Sequence, residues 1–280
     1  MKRDAHDIDG RISRIEAWFA GRNDALVALS GGVDSTLLAT LAVRALGPRA
    51  VAVTMTSVLQ HDFEIQDAQQ TARRIGIGHL VRPFRPLVVN EVRKNIPERC
   101  YFCKRAIFSI ITDEARALGI DTVVDGTNAD DRTDVRPGMR ALAELGIESP
   151  LLELSVGKDE IRLLSRALGI PGFDRPPMAC LASRFPHGDE LTPEKIDRVR
   201  DAELFLRGLG FRVVRVRHVG RAARIEVGRD EVARLSSPAL GRDVRARLLR
   251  SGFESVVIDP DGYRTGSMNA ALGMSGRPVT

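Results

Sequence analysis

Residues 25–38 read ALVALSGGVDSTLL. The first five are apolar and of the right length for a buried strand, and the residues from Val33 onward begin a helical pattern. Between them lie Ser30, Gly31, Gly32, Val33, Asp34 and Ser35. Two glycines let the backbone turn tightly and present its N–H groups with no Cβ in the way. The helix that follows supplies amides without intrahelical acceptors and the positive end of its dipole. Ser30, Ser35 and Thr36 add hydroxyl donors. A strand, a glycine turn and a helix N-terminus in this order make a cradle for phosphate oxygens. The string lacks a GKS or GKT ending and does not fit G-x-G-x-x-G, so it is a phosphate loop of another type.

Outward from the loop the same alternation repeats. Strands are expected at 25–29, 50–55, 79–83 and 122–125, with helices near 34–46, 62–75 and 104–118 between them. Ile8, Ile12, Ile15, Trp18 and Phe19 predict an amphipathic opening helix over 8–19, and a further helix is expected at 158–168. This pattern belongs to the α/β class, as a doubly wound, mainly parallel sheet covered on both faces. Residues 171–190, PGFDRPPMACLASRFPHGDE, read as a long structured loop, a kind of segment that is often functional. Thr192, Pro193 and Glu194 then look like a helix start, with an N-cap followed by proline at the first helical position. Strands in FRVVRVRHV and RAARIEV joined through Gly220, a helix near 239–251 and a strand at 254–258 complete a smaller α+β domain. The expected division is 1–186 and 187–280.

The chain has 280 residues, 43% of them hydrophobic, which is enough for one sizeable core and a second, smaller one. Its longest apolar runs, ALVALS at 25–30 and TLLATLAV at 36–43, fall far short of the roughly 20 residues of a membrane span. The first 21 residues mix acids with bases and lack the apolar core of a secretory signal, so a cytoplasmic protein is expected. Five of the 42 basic residues are lysine. Arg212, Arg215, Arg217, Arg221 and Arg224 crowd into one short stretch, where the guanidinium fork suits phosphate or carboxylate and a solvated face is the plainer alternative. A net charge of +5 does not single out nucleic acid as a partner.

Three cysteines are present: Cys100 and Cys103 in a C-x-x-C, and Cys180 in the long loop. An odd, small number argues against a disulfide-stapled scaffold. A thioredoxin-like redox pair is disfavoured in a sheet that already carries a phosphate loop. Zinc in a structural site takes four ligands, which would require His187 as the fourth. Three thiolates match a [4Fe–4S] cluster with one iron left without a protein ligand, and three unconnected buried thiols are the remaining alternative.

The SGGVDS loop resembles the pyrophosphate loop of the N-type ATP pyrophosphatases, which split ATP between its α and β phosphates to adenylate an acceptor. Thr54 and Met55 then end a strand where adenine would lie, and Asp125-Gly126-Thr127-Asn128 ends another, with Asp130 and Asp131 placed to approach Mg²⁺. The string MACLASRFPHG at 178–188, followed by Leu191-Thr192 and RVVRVRHVGRAARIEV, is similar to the LarE family, from the ATP loop to Arg264-Thr265-Gly266. That resemblance implies a pyridinium dicarboxylate mononucleotide as substrate, AMP transfer to its carboxylate, and sulfur delivered at the position of Cys180. One version of the family sacrifices that cysteine. The other holds a [4Fe–4S] cluster, here with Cys100, Cys103 and Cys180 as ligands and sulfide from a separate donor, and the presence of all three cysteines favours it. The resemblance also puts Arg184, Glu203, Arg215 and Arg217 near the substrate phosphate or its metal ion, gives the C-terminal domain a substrate and oligomerisation role, and implies a homo-hexamer. Two rivals share the loop: a tRNA thiolase, which would need a broad basic surface, and a nucleotide sensor, which would need no cysteine cluster.

Overall fold

The computed structural model describes residues 2–133, 137–173 and 178–264, excluding the side chains of 2–7, 132 and 133. Thr265 and Gly266 lie outside the described residues, as do residues 174–177 of the long loop. The chain divides into two compact units, Met1–Val89 with Glu98–Met178, and Asn90–Pro97 with Ala179–Thr280. The sequence division at 186/187 instead assigns 90–97 and 179–186 to the larger part.

In the first unit, α1 (Lys2–Ala20) precedes β1 (Ala25–Ala28), α2 (Val33–Leu46), β2 (Ala50–Thr56), α3 (Asp62–Ile75) and β3 (Gly78–Pro83). α4 (Asn90–Arg93) lies in the segment that joins the second unit. The first unit resumes with α5 (Arg99–Leu118), β4 (Val123–Val124), α6 (Pro137–Glu144), α7 (Pro150–Glu153) and α8 (Lys158–Ala167). The four strands are parallel in the order β3-β2-β1-β4, the doubly wound α/β sheet expected from the alternation. Both faces are apolar and covered. Ala25 and Val27 join Ile15, Phe19, Leu37, Leu41, Leu151 and Ile161 in one core. Leu26 points the other way, into Val53, Met55, Phe84, Phe108 and Ile111.

α5 begins at Arg99, five residues before the expected start, with Glu98 at its N-cap. The C-x-x-C therefore lies on the helix. β4 is two residues long where four were expected, since Thr122 and Asp125 continue the chain through single backbone bonds to Leu26 and Glu148.

The second unit contains α9 (Pro193–Gly208), β5 (Val214–Val219), β6 (Ala222–Val227), α10 (Val232–Leu235), α11 (Pro238–Arg250) and β7 (Ser255–Ile258). β5 and β6 form an antiparallel hairpin through Gly220, and β7 runs parallel to β6. Thr192 caps α9 by accepting the Lys195 N–H, with Pro193 at the first helical position. The segment 90–97 is held by main-chain bonds from Gly188 N–H to Asn95 O (2.9 Å) and from Leu191 N–H to Arg93 O (2.7 Å).

Candidate active site

The strand order reverses at β1. The chain moves from β1 outward to β2 and β3, then returns to place β4 on the other side. Ligands of open parallel sheets bind at such a switch point, beyond the carboxyl ends of the strands. The loop after β1 is the SGGVDS segment, and the loop after β4 begins at Asp125.

Hydrogen bonds between its own residues close the phosphate loop. The Ser30 N–H donates to Ser35 Oγ (3.2 Å), Ser35 Oγ–H to Gly32 O (3.1 Å) and Gly32 N–H to Ser30 Oγ (3.3 Å). Gly31 has φ +79°, and a Cβ there would come within 3.1 Å of Glu64 O. Gly126 is required for a different reason. A Cβ on it would stand 2.9 Å from the Ser35 amide nitrogen, so the β4 loop approaches the start of α2 closely only because this residue has no side chain. Asn128 completes the junction, its amide donating to Asp34 Oδ2 at 2.8 Å. Burial raises the proton affinity of Asp34. The bond from Asn128 and the charge of Lys158 oppose that rise, while Asp131 adds to it.

Thr54 and Met55 part company at the end of β2. Thr54 Oγ1 donates to Leu29 O (2.6 Å) and meets His79 Nε2 (2.8 Å), which brings it beside the phosphate loop, whereas the Met55 side chain packs into the opposite core. Asp125 is a hub, accepting from Thr127 Oγ1 (2.6 Å), Ser149 Oγ (2.6 Å) and Lys104 Nζ (3.3 Å). Lys104 follows Cys103 directly, so the cysteine helix is tied to the β4 loop. Asp130 accepts the Lys158 N–H at 2.7 Å, serving the start of α8.

Among the described residues, no group of three or more His, Cys, Asp or Glu is gathered in a metal-binding arrangement. Mg²⁺ that arrives with a nucleotide needs only one or two carboxylates beside the phosphates, and Asp34 at the first turn of α2 suits that demand. Cys100 and Cys103 are three residues apart on α5 and therefore neighbours on one face. None of the three cysteines is in a disulfide, and Cys100 and Cys180 are exposed. The donors are of the type an iron–sulfur group takes.

In the second unit, Arg184 and Glu203 are each 0% exposed and form a two-point ion pair at 2.8 and 3.0 Å. Arg217 is paired with Glu226, and Arg215 is 2% exposed, near the Tyr263 ring. Burial lowers the proton affinity of Arg215. The neighbouring charges of Arg184 and Arg207 lower it further, while Glu203 and Tyr263 raise it. The crowded arginines do not share one anion site. Arg221 pairs with Glu254 and Arg224 with Asp259. Sequence reading missed Glu226, Asn95 and Lys104. The hairpin gave a signal for the first, because pairing through Gly220 places Glu226 opposite Arg215 and diagonal to Arg217.

The NAD synthase family is matched over residues 16–99, the part that holds the phosphate loop. Over 266 residues the chain is 40% identical to an uncharacterized protein of Synechocystis sp., covering 95% of this chain and 99% of that one. It is 36% identical over 248 residues to the pyridinium-3,5-bisthiocarboxylic acid mononucleotide synthase of Lactiplantibacillus plantarum, covering 88% and 89% of the two chains. The chain belongs to the LarE family. A more distant likeness, 29% over 210 residues to a glutamine-hydrolyzing GMP synthase chain of Methanocaldococcus jannaschii, covers 70% of this chain and 66% of that one. As a LarE protein the chain is an ATP-dependent sulfurtransferase.

Proposed function

We propose that this LarE protein uses ATP to adenylate a carboxylate of pyridinium-3,5-biscarboxylic acid mononucleotide and replaces its oxygen with sulfur, a step towards a nickel-pincer cofactor. The observation that supports this is a glycine phosphate loop at the switch point of a chain that aligns over 88% of its length with a pyridinium mononucleotide synthase. The carboxylate oxygen attacks the α phosphorus, the bond from that phosphorus to the bridging oxygen breaks, and pyrophosphate leaves. Sulfide then attacks the acyl carbon, the C–O bond breaks, and AMP leaves with the electron pair.

In this reading the first amides of α2 and the hydroxyls of Ser30 and Ser35 hold the departing pyrophosphate. Asp34 and Asp130 serve Mg²⁺, and Thr54, with the backbone of Met55, borders the adenine. Arg215 takes the substrate phosphate, an anion that suits its guanidinium fork. Cys100, Cys103 and Cys180 would hold a [4Fe–4S] cluster, which when bound supplies an iron able to carry exchangeable hydrosulfide. The exposed thiol of Cys180 also supports a second reading, in which Cys180 attacks the adenylate itself. Loss of its Cα proton and rupture of its Cβ–S bond would then leave dehydroalanine and the thiocarboxylate. The same proposal includes a cytoplasmic location, a separate sulfide donor, a homo-hexamer and folding domains at 1–186 and 187–280.

Anaerobic protein supplied with ATP and the mononucleotide should yield AMP and pyrophosphate, and ADP with phosphate would overturn the adenylation. About four irons per chain and multiple turnovers would support the cluster route. A colourless active protein that loses about 34 Da at Cys180 would establish the sacrificial one.

A further inference from the structure

The backbone around Cys180 is gripped from inside the second unit. Cys180 caps a short 3-10 turn over Leu181–Arg184, and the Ser183 N–H returns to Cys180 O at 3.0 Å. Arg184 Nη1 donates to Ala179 O at 2.7 Å, to Cys180 O at 3.2 Å and to Ser183 Oγ at 2.9 Å. Its other two nitrogens are engaged by Glu203, and Glu203 Oε1 also accepts the Val216 N–H at 2.9 Å, which ties the pair to β5. Arg217 repeats the scheme. Its Nε and Nη2 donate to Glu226 Oε2 at 3.1 and 2.8 Å, and its Nη1 donates to Ser183 O at 2.8 Å.

Two buried Arg–Glu pairs thus aim their remaining donors at main-chain oxygens of one turn. A buried planar fork with every nitrogen committed suits the fixing of a backbone and not the capture and release of a phosphate. The exposed thiol on that turn is the group whose placement matters for sulfur delivery, because a misplacement of about 1 Å at a reacting centre costs on the order of a hundredfold in rate. We propose that Arg184 and Arg217, fixed by Glu203 and Glu226, are positioning residues that hold the Cys180 turn for sulfur delivery and do not bind the substrate phosphate. This rests on the sulfur-insertion reading above.

The test compares the full-length parent with two variants. Arg184→Met with Glu203→Gln removes both buried charges together, so no ion is stranded, and leaves an acceptor for the Val216 N–H. Arg184→Lys keeps the charge and loses the fork, and it serves if the double variant does not fold. Substrate-dependent ATP–pyrophosphate exchange reports binding and adenylation, single-turnover thiocarboxylate formation reports sulfur delivery, and hydrogen exchange at the Ser183 amide reports the turn without any activity. The KM for the mononucleotide should stay within about threefold of the parent, sulfur delivery should fall about a hundredfold, and the Ser183 amide should exchange at least about tenfold faster. A tenfold or larger rise in KM with sulfur delivery intact would make Arg184 a phosphate ligand and overturn the proposal. Unchanged Ser183 protection would overturn it too, whatever the activity. If the parent itself shows no substrate-dependent exchange, the functional reading fails, and Ser183 protection still decides whether the pairs hold the turn.

Discussion

The phosphate loop and the Cys180 turn reach order by opposite routes. Ser30–Ser35 is closed by hydrogen bonds between residues no more than five apart, and its amides come from the helix that follows in sequence. The Cys180 turn is held by Arg217 from 34 residues away, and by Arg184 through a carboxylate 19 residues further on. A short-range loop can be read from its letters. A turn held at long range depends on a fold that brings its partners to it.

The sharpest way to break this contrast is at a long-range contact of the loop. Gly126→Ala should reduce adenylation about a hundredfold, because its Cβ would meet the Ser35 backbone at 2.9 Å and push the amides off the phosphates. ATP–pyrophosphate exchange measures this, and an unaltered rate would mean that the β4 loop does not set the geometry of the phosphate site. On the other side of the comparison, Asn95 holds the chain around the Cys180 turn. It is wholly buried with φ +52°, and its amide donates to the carbonyls of Pro186 (2.7 Å) and Phe185 (3.3 Å). Asn95→Ala loses both the donors and the tolerance for that φ, and should cost about 2–3 kcal/mol in urea unfolding. Asn95→Gly keeps the φ and should cost about 1 kcal/mol less.

A smaller effect is expected at Thr192, whose cap on α9 is purely local. Thr192→Ala should lower stability by about 1 kcal/mol with no change in the KM for ATP, which thermal unfolding and exchange kinetics would check together. The smallest effect concerns Asp34. Burial holds its carboxyl above the ordinary aspartate value of 3.8, so the folded chain binds this proton more tightly than the unfolded one. Its contribution to stability is therefore full below 3.8 and is lost as the pH rises through the folded value. Asp34→Asn should melt slightly higher than the parent at neutral pH and equally in acid. A gain that persists unchanged at pH 3 would rule out the buried charge as its cause.

Particular residues show how far the letters carried. Alternation and glycine placement revealed β1, the loop and α2 together, because strand, turn and helix are each dictated by neighbours in sequence. The start of α5 was misplaced because cysteines and aromatics neither favour nor break a helix strongly. Arg184, Glu203 and Arg217 were singled out by the resemblance, yet matching letters do not say whether a fork faces a ligand or a backbone carbonyl. Nothing in the letters around Asn95 marks its role.

The sequence by itself determined the parallel α/β sheet, the phosphate loop, the three thiols and the LarE resemblance. Each is a matter of periodicity, short-range geometry or residue identity. Only the tertiary structure decided that Gly126 must lack a side chain, that Asp34 sits under Asn128, and that two Arg–Glu pairs close on the Cys180 turn. Those facts depend on distances between residues far apart in the chain, and hydrogen bonds and close approaches at that range exist only once the core has packed.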